Sequence, residues 1–170
     1  MSALAPIEPA GPADRASPGW LVRGACEDDL AAVAASVAML LMELGATPPA
    51  PEAMLAAARE LLADPAAGAI LVAMTDEELV GVLAASWQLA IHAPGRYALI
   101  QDLWVHPAWR GRTVGRDLLA ALFERARESG MASAEVGLPR ERFAGLDATE
   151  AFYRRNGFDR LGVRMRRGLS

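Results

Sequence analysis

The strongest constraint on the fold is the stretch V-H-P-A-W-R-G-R-T-V-G-R-D-L-L, which runs from Val105 to Leu119. An apolar strand pattern ends at Val105, Pro107 stops it, and a helical pattern begins after a turn. The turn, Arg110 to Arg116, contains two glycines, three arginines and no proline, so every residue keeps its backbone N–H. The first turn of a helix has about four unpaired N–H groups and roughly half a positive charge. We therefore predict that this turn binds a phosphate group, and specifically a pyrophosphate.

The composition is that of a single globular domain. The chain has 170 residues, of which 53% are hydrophobic and 22% charged. We predict one domain over residues 20–170, preceded by a mobile proline-containing tail over residues 1–19. No apolar run reaches the ~18 residues that span a bilayer, and the first residues do not have the pattern of a secretory signal. The only cysteine, Cys26, is predicted to be an inert buried thiol, and this cysteine usage is compatible with the cytoplasm.

The charged residues exclude several functional classes. The net charge of −4 argues against broad nucleic-acid binding. All seventeen basic residues are arginines, so neither a Schiff-base lysine nor a P-loop lysine is available. Two widely spaced histidines and one cysteine predict no metal site of the zinc type.

Hydrophobic periodicity predicts the element order β-α-α-β-β-β-α-β-α-β, typical of a mixed α/β sheet with helices on both faces. Strands are expected at 20–23, 69–74, 79–91, 97–106 and 132–138, with a last strand over 161–165; helices are expected from Glu27 to Leu44, at 52–63, from about Val114 to Ser129, and from Asp147 to Asn156. Asp147 and Glu150 have the spacing of a capping box. In the last strand arginines alternate with apolar residues, which is compatible with pairing across a homodimer.

Four segments resemble the GNAT superfamily of acyl-CoA-dependent N-acyltransferases. They are Leu21–Arg23 with Glu27–Asp29, the strand end Asp102–Gly111, the turn Arg110–Gly115, and the closing helix Ala151–Phe158. Their order and spacing match the family. The resemblance implies the GNAT fold: a central twisted mixed sheet of six to seven strands with a splayed central pair, flanked by about four helices.

The resemblance also implies acetyl-CoA as the donor and co-substrate, and no metal. The strands ending at Val105 and Leu138 would splay apart to admit the pantetheine arm. The implied cofactor-binding residues are Leu103, Trp104, Val105, Arg110, Gly111, Arg112, Thr113, Val114, Gly115 and Arg116. The three arginine side chains would pair with phosphates, with simple solvation as the alternative for Arg112 and Arg116. The backbone N–H groups from Arg112 to Arg116 are expected to be the main phosphate ligands.

Two positions depart from the family pattern. Thr113 replaces the first glycine of the motif, and we expect its hydroxyl to contact the phosphate or to cap the helix. Gly145, Leu146 and Asp147 occupy the region where many members have an asparagine that contacts pantetheine.

The expected chemistry needs an acid and a base. A lysine-like amine has a pKa of about 10.4, so only about one molecule in a thousand is neutral at pH 7. Tyr153 is the predicted acid, because the resemblance puts its hydroxyl near the thioester sulfur; the alternative is that it only packs the helix on the sheet. With no cysteine near the donor motif, direct attack in a ternary complex is expected.

The base is predicted to be Asp102, with a purely structural hydrogen-bonding role as the alternative. Related polyamine acetyltransferases have an E-D pair here, whereas this chain has Gln101 and Asp102, and an amide cannot accept the proton. Strand alternation predicts that the two side chains point to opposite faces. Weaker candidates for the base are Glu43, Glu135, His92 and His106.

The acceptor is expected to be a small-molecule amine. A protein N-terminus is the alternative acceptor, and a CoA-binding sensor without turnover is the alternative function. Candidate residues of the acceptor pocket, which are otherwise core residues, are Trp87, Tyr97, Trp104 and the loop 140–143.

Overall fold

The computed structural model describes residues 19–91 and 95–162, which form five strands and four α-helices. The strands are β1 (Leu21–Gly24), β2 (Gly68–Met74), β3 (Leu79–Leu89), β4 (Arg96–Val105) and β5 (Met131–Val136); the helices are α1 (Leu30–Glu43), α2 (Pro51–Ala63), α3 (Val114–Glu128) and α4 (Leu146–Arg155). Within this part of the chain, no helix is long and apolar enough to cross a membrane.

The strands form one mixed sheet in the order β1-β2-β3-β4-β5. Neighbours from β1 to β4 are antiparallel, and β5 joins β4 in parallel. The predicted mixed sheet is confirmed, but the predicted six to seven strands exceed the five that the described residues form. Leu161 and Gly162, at the start of the predicted last strand, are not in a strand, and residues 163–166 lie outside the described residues.

Each face of the sheet has its own apolar cluster, because side chains alternate along the strands. On one face α3 covers β2, β3 and β4, and its fully buried residues are Val114, Leu118, Leu119 and Leu122. On the other face α1 and α2 cover Ile70, Val72 and Val82 with residues that include Leu30 and Val33. We call these the α3 face and the α1 face.

A β-bulge interrupts the alternation in β4. Ala84 pairs with Asp102 whereas the next residue of β3, Ala85, pairs with Ile100, so Gln101 is the extra residue. A bulge of this kind locally bends the strand and increases its twist. The bulge lies where β4 and β5 separate, since their pairing ends at Ile100 and Val136 while β4 continues to Val105.

The chain enters α1 through a charged corner. Asp29 is buried and accepts hydrogen bonds from both terminal nitrogens of Arg23, at 2.6 and 2.9 Å, and from the backbone N–H of Cys26, at 2.7 Å. The pKa of Asp29 is lowered to about 2, chiefly by Arg23. Cys26 itself is exposed, so the prediction of a buried thiol was wrong.

The predicted capping box of α4 was also wrong. The helix begins one residue earlier than Asp147, at Leu146, after Gly145 as N-cap, and the Thr149 hydroxyl donates to the Gly145 carbonyl at 2.9 Å. Glu150 instead accepts hydrogen bonds from Arg154 and from Arg160 beyond the helix, which lower its pKa. These two arginines compete for the carboxylate that the capping box would have required.

Candidate active site

The turn before α3 exposes several unused backbone donors. The N–H groups of Arg110, Arg112 and Val114 donate to carbonyls within the turn. Those of Gly111, Thr113, Gly115 and Arg116 donate to no described residue. Gly111 has a φ of +77°, a conformation that favours glycine. The four free donors lie at or just before the N-terminus of α3, the positive end of its dipole, and we call this set the phosphate cradle.

The three arginines of the turn differ in their partners. Arg110 makes a bidentate ion pair with Glu43, at 2.7 and 2.8 Å, and donates from Nε to the Val105 carbonyl. Arg116 pairs with Asp117 at 3.3 Å. Arg112 makes no ion pair with a described residue and lies over the ring of Trp109, with Cζ 4.9 Å from the centroid. Arg112 is therefore the one of these three arginines whose charge has no ion-pair partner among the described residues.

Thr113 does not act as the expected helix cap. It occupies the N-cap position of α3 but makes no side-chain capping bond. Its hydroxyl lies 3.1 Å from Oδ2 of Asp117, which also accepts from the indole N–H of Trp20 at 3.2 Å. Thus an acidic residue in the first turn of α3 is engaged by neighbouring donors and does not project unpaired into the cradle.

The second glycine of the turn has a packing role. A Cβ placed on Gly115 would lie 3.2 Å from Cζ of Phe152 and 3.7 Å from Cγ2 of Val105. Absence of a side chain at Gly115 therefore lets α4 approach the N-terminus of α3. This close approach brings α4, which carries Tyr153, next to the phosphate cradle.

The end of β4 has no strand partner among the described residues on the side of β5. Beyond Ile100 neither Leu103 nor Trp104 pairs with β5, while their pairing with β3 continues. The backbone from Gln101 to Val105 thus has a free edge to which an extended amide-containing ligand can bind as an added strand. One acceptor there is already used, because the Val105 carbonyl accepts from Arg110 at 2.9 Å.

Asp102 is a half-buried carboxyl group without a partner. It accepts no hydrogen bond and makes no ion pair with a described residue. Burial raises the pKa of Asp102 above the usual range of an aspartate, because the charged form loses hydration that nothing replaces. A carboxylate with a raised pKa is a stronger base than an exposed one.

Tyr153 lies close enough to Asp102 for the two groups to interact electrostatically. Burial, and secondarily the charge of Asp102, raises the pKa of the Tyr153 hydroxyl, so the phenol is fully protonated at neutral pH. The ring packs edge-on against Phe152 and Phe158, at centroid distances of 5.1 and 5.3 Å. Its hydroxyl makes no hydrogen bond to a described residue. The side chain is thus fixed by packing, while the donor remains available.

The bulge corrects the prediction that Gln101 and Asp102 point to opposite faces. Asp102 lies directly opposite Ala84, and the amide nitrogen of Gln101 donates to Oγ of Ser86, at 2.8 Å. Ser86 and Ala84 are two residues apart on β3 and share the α1 face. Both side chains therefore lie on the α1 face, because the extra residue at the bulge breaks the alternation.

Three other candidates for the base have structural roles or partners. Glu43 accepts from the Trp104 indole at 3.2 Å in addition to Arg110. His106 accepts from the Ala108 N–H through Nδ1, and its ring packs edge-on against Trp104. Glu135 lies on β5 opposite Leu99. His92 lies outside the described residues.

The aromatic residues predicted for the acceptor pocket fall into two groups. Trp87 is core: it is buried on the α3 face, and its indole donates to the Pro65 carbonyl. Trp104 is buried under the end of α1, where it contacts Glu43. Tyr97 remains half-buried, opposite Gln88.

A polar row next to Asp102 was not predicted from the sequence. Both glutamines of the chain, Gln88 and Gln101, donate through their amide nitrogens to Oγ of Ser86 at 2.8 Å. A signal was present, since Ser86 and Gln88 alternate with apolar residues in β3. The link to Gln101 depends on strand register, which the sequence did not specify.

Comparison with known proteins identifies similar sequences. A family model described as Acetyltransferase (GNAT) family matches residues 37–158. Aminoalkylphosphonate N-acetyltransferase of Salmonella typhimurium is 32% identical over 98 residues, or 58% of this chain and 61% of that protein. The chain therefore spans about three fifths of the length of this curated relative.

Solved structures show the same fold. A transcriptional regulator from Bacillus halodurans C-125 superposes with a TM-score of 0.75 at 24% identity, covering 88% of this chain and 99% of that one. The aminoglycoside N-acetyltransferase AAC(6')-Iy, solved in complex with CoA, superposes with a TM-score of 0.74 at 19% identity, covering 89% and 95%. At these identities the likeness establishes the fold and leaves the acceptor open.

Proposed function

This chain belongs to the acetyltransferase (GNAT) family, and from that premise we propose that it transfers an acetyl group from acetyl-CoA to a primary amine of a small molecule. The observation that carries the proposal is the pair of Asp102 and Tyr153, a carboxyl group beside a phenol, neither of which has a hydrogen-bond partner among the described residues. Buried titratable groups with perturbed pKa values and no structural partner are typical of catalytic sites.

The residues around this pair fit the cofactor. Acetyl-CoA, when bound, supplies the acetyl group as a thioester. The four free N–H groups of the phosphate cradle and the guanidinium of Arg112 suit its pyrophosphate. The free edge of β4 at Leu103 and Trp104 suits the amides of the pantetheine arm. The gap between β4 and β5 connects these two regions.

In the proposed mechanism Asp102 accepts a proton from the acceptor ammonium, directly or through one water molecule, which leaves a neutral amine for direct attack on the acetyl carbonyl. As the C–N bond forms and the C–S bond breaks, Tyr153 donates its hydroxyl proton to the departing sulfur. The acetylated nitrogen releases its second proton to solvent, and Tyr153 regains a proton from solvent. Asp102 lies on the α1 face and Tyr153 belongs to the cluster on the α3 face. The base and the acid therefore approach from opposite faces of the sheet, which supports separate paths for acceptor and donor.

The function is tested by incubating the protein with acetyl-CoA, a panel of amines and a thiol reagent that reports free CoA. We expect CoA release above background with at least one small amine. Asp102→Asn should abolish most of this release while CoA binding, measured by calorimetry, persists. Asp76→Asn, the same change on an exposed turn, is the matched control.

Two other results would replace this proposal. Release only with peptides that have a free N-terminus would indicate a protein N-terminal acetyltransferase. Tight CoA binding without release from any amine or peptide would indicate a CoA-binding sensor.

A further inference from the structure

The polar row next to Asp102 has a hydrogen-bonding pattern that suits a particular class of acceptor. It consists of Ser86, Gln88 and Gln101, and we call it the amide row. Ser86 and Gln88 are half-buried and Gln101 is exposed. All three lie on the α1 face, as Asp102 does. The row is thus accessible, and it borders the proposed base.

The hydrogen bonds within the row fix the orientation of both amides. A hydroxyl oxygen accepts at most two hydrogen bonds, and the two glutamine nitrogens occupy both positions on Ser86. Each amide oxygen therefore points away from Ser86, and neither accepts a hydrogen bond from a described residue. The second N–H of each amide is also unused. The row thus presents neutral acceptors and donors together, the combination that alcohol groups satisfy.

Charge near the row favours a cation over an anion. Two acidic residues lie near the row: Asp102 borders it, and Glu135 on β5 pairs with Leu99, the strand partner of Ser86. Arg96, the first residue of β4, pairs with Leu89, so its side chain points to the opposite face from Gln88. Arg110, beyond the end of β4, is committed to Glu43 and to the Val105 carbonyl. An acceptor with a phosphonate or carboxylate group beside its amine would place that anion near Asp102, with neutral amides as its ligands. A hydroxylated amine meets no such penalty.

The distance between Asp102 and the amide row matches the size of one substituted six-membered ring. Asp102 lies opposite Ala84, and Ser86 follows two residues later on the same face, which is about 7 Å along the strand. An amine held at Asp102 would therefore place hydroxyl groups of the same small molecule against the amide row.

We propose that the amide row selects acceptors that carry hydroxyl groups beside the amine, of the amino-sugar type. This inference rests on the proposed function. Two or three neutral hydrogen bonds of ordinary strength predict a preference of at least about ten-fold over an acceptor without hydroxyls.

The test compares glucosamine with cyclohexylamine, which has the same six-membered ring size and a primary amine but no hydroxyls, and with 2-aminoethylphosphonate as an anionic amine. For the wild type we expect kcat/KM to be highest for glucosamine, by at least about ten-fold. The double variant Gln88→Leu/Gln101→Leu should lose about ten-fold in kcat/KM for glucosamine, through a higher KM, and lose nothing for cyclohexylamine. Asp76→Asn again serves as the control.

The outcomes separate this inference from the function on which it rests. Equal or better turnover of cyclohexylamine by the wild type, or an unchanged preference in the double variant, overturns the selectivity but leaves the acetyltransferase standing. Turnover of 2-aminoethylphosphonate above that of glucosamine also overturns the selectivity and leaves the acetyltransferase activity standing. No CoA release with any amine overturns the proposed function and, with it, the inference. If the double variant fails to fold, Ser86→Ala takes its place: an unchanged preference for glucosamine in that variant, or no preference in the wild type, overturns the selectivity.

Discussion

Two aspartates of this chain have opposite environments. Asp29, at the corner that leads into α1, is buried against Arg23 and the Cys26 N–H, and its pKa is lowered to about 2. Asp102, at the gap between β4 and β5, has no partner among the described residues, and burial raises its pKa. The first carboxylate is stabilised in its charged form by the fold, whereas the second is destabilised in that form.

The two environments suit different roles, a structural role for Asp29 and a catalytic role for Asp102. A carboxylate whose hydrogen bonds are filled holds two segments of the chain together but cannot easily accept a proton. A carboxylate that burial makes more basic lowers the stability of the fold at neutral pH, yet it is suited to proton transfer. The same contrast applies to the arginines, since Arg23 and Arg110 have ion-pair partners and Arg112 has none in the described part of the chain.

The largest expected effect is that of Asp102→Asn. Loss of a general base lowers kcat by about 10²-fold to 10⁴-fold. The raised pKa should place the acidic limb of the wild-type kcat/KM profile above the usual aspartate range of about 4. Because the variant removes a charge that burial disfavours, its thermal unfolding temperature at pH 7 should be equal to or above that of the wild type. Initial rates across pH and calorimetric unfolding measure both quantities.

The contrast between Asp29 and Asp102 would fail if Asp102→Asn changed stability and left activity intact. A variant Asp102→Asn that retains wild-type kcat but unfolds at a lower temperature would make Asp102 a structural residue like Asp29. The base would then have to be sought elsewhere, at Glu43 or Glu135, or at His92 outside the described residues.

The next effect is that of Tyr153→Phe. This change keeps the ring that packs between Phe152 and Phe158 and removes only the hydroxyl. We expect kcat to fall by about 10²-fold, with little change in KM or in stability. If Tyr153→Phe has the same turnover as the wild type, Tyr153 serves only to pack α4 on the sheet.

Much of this arrangement could be predicted from the sequence, for physical reasons. The strand, turn and helix around the phosphate cradle follow from local signals, since Pro107 ends a strand and Gly111 adopts a positive φ. Hydrophobic periodicity located the four helices and the five strands to within a few residues. Asp102 and Tyr153 were singled out through the family resemblance, and their roles stay predictions.

The features that the sequence did not predict depend on strand pairing and on contacts between residues far apart in the chain. The bulge at Gln101 arises from pairing between β3 and β4, so alternation within β4 alone assigned the wrong face. Competition for Glu150 came from Arg160, ten residues away, so the local capping box did not form. The partners of Arg110 and Arg112 were likewise set by Glu43 and Trp109, which only the fold brings near.

A smaller effect, on stability alone, is expected for Asp29→Asn. The change leaves Arg23 without its charged partner and should lower the free energy of unfolding by about 2 kcal/mol at pH 7. Because the folded pKa is lowered to about 2, this contribution is present above the unfolded pKa of about 4 and is lost as pH falls through the folded value. The difference between wild type and variant in urea unfolding should therefore shrink between about pH 4 and pH 2.

Asp28→Asn is the control for that experiment, because Asp28 is exposed in the same turn. Both variants should retain wild-type kcat when folded. If Asp28→Asn destabilised the protein as much as Asp29→Asn, the effect would come from helix-dipole charge in the turn and not from the pair with Arg23.

The smallest effect is expected for the side chains of Arg112 and Arg116 in the turn before α3, which differ in whether they have an ion-pair partner among the described residues. Arg112→Ala removes a guanidinium that has no ion pair among the described residues, so KM for acetyl-CoA should rise by about ten-fold, equivalent to about 1.4 kcal/mol. Arg116→Ala removes one that is paired with Asp117, and should change KM less. Arg112→Lys, which keeps the charge, should restore part of the affinity. A larger rise in KM for Arg116→Ala than for Arg112→Ala would show that an arginine of this turn can bind phosphate even when it has an ion-pair partner. The contrast between paired and unpaired groups would then hold for the carboxylates alone.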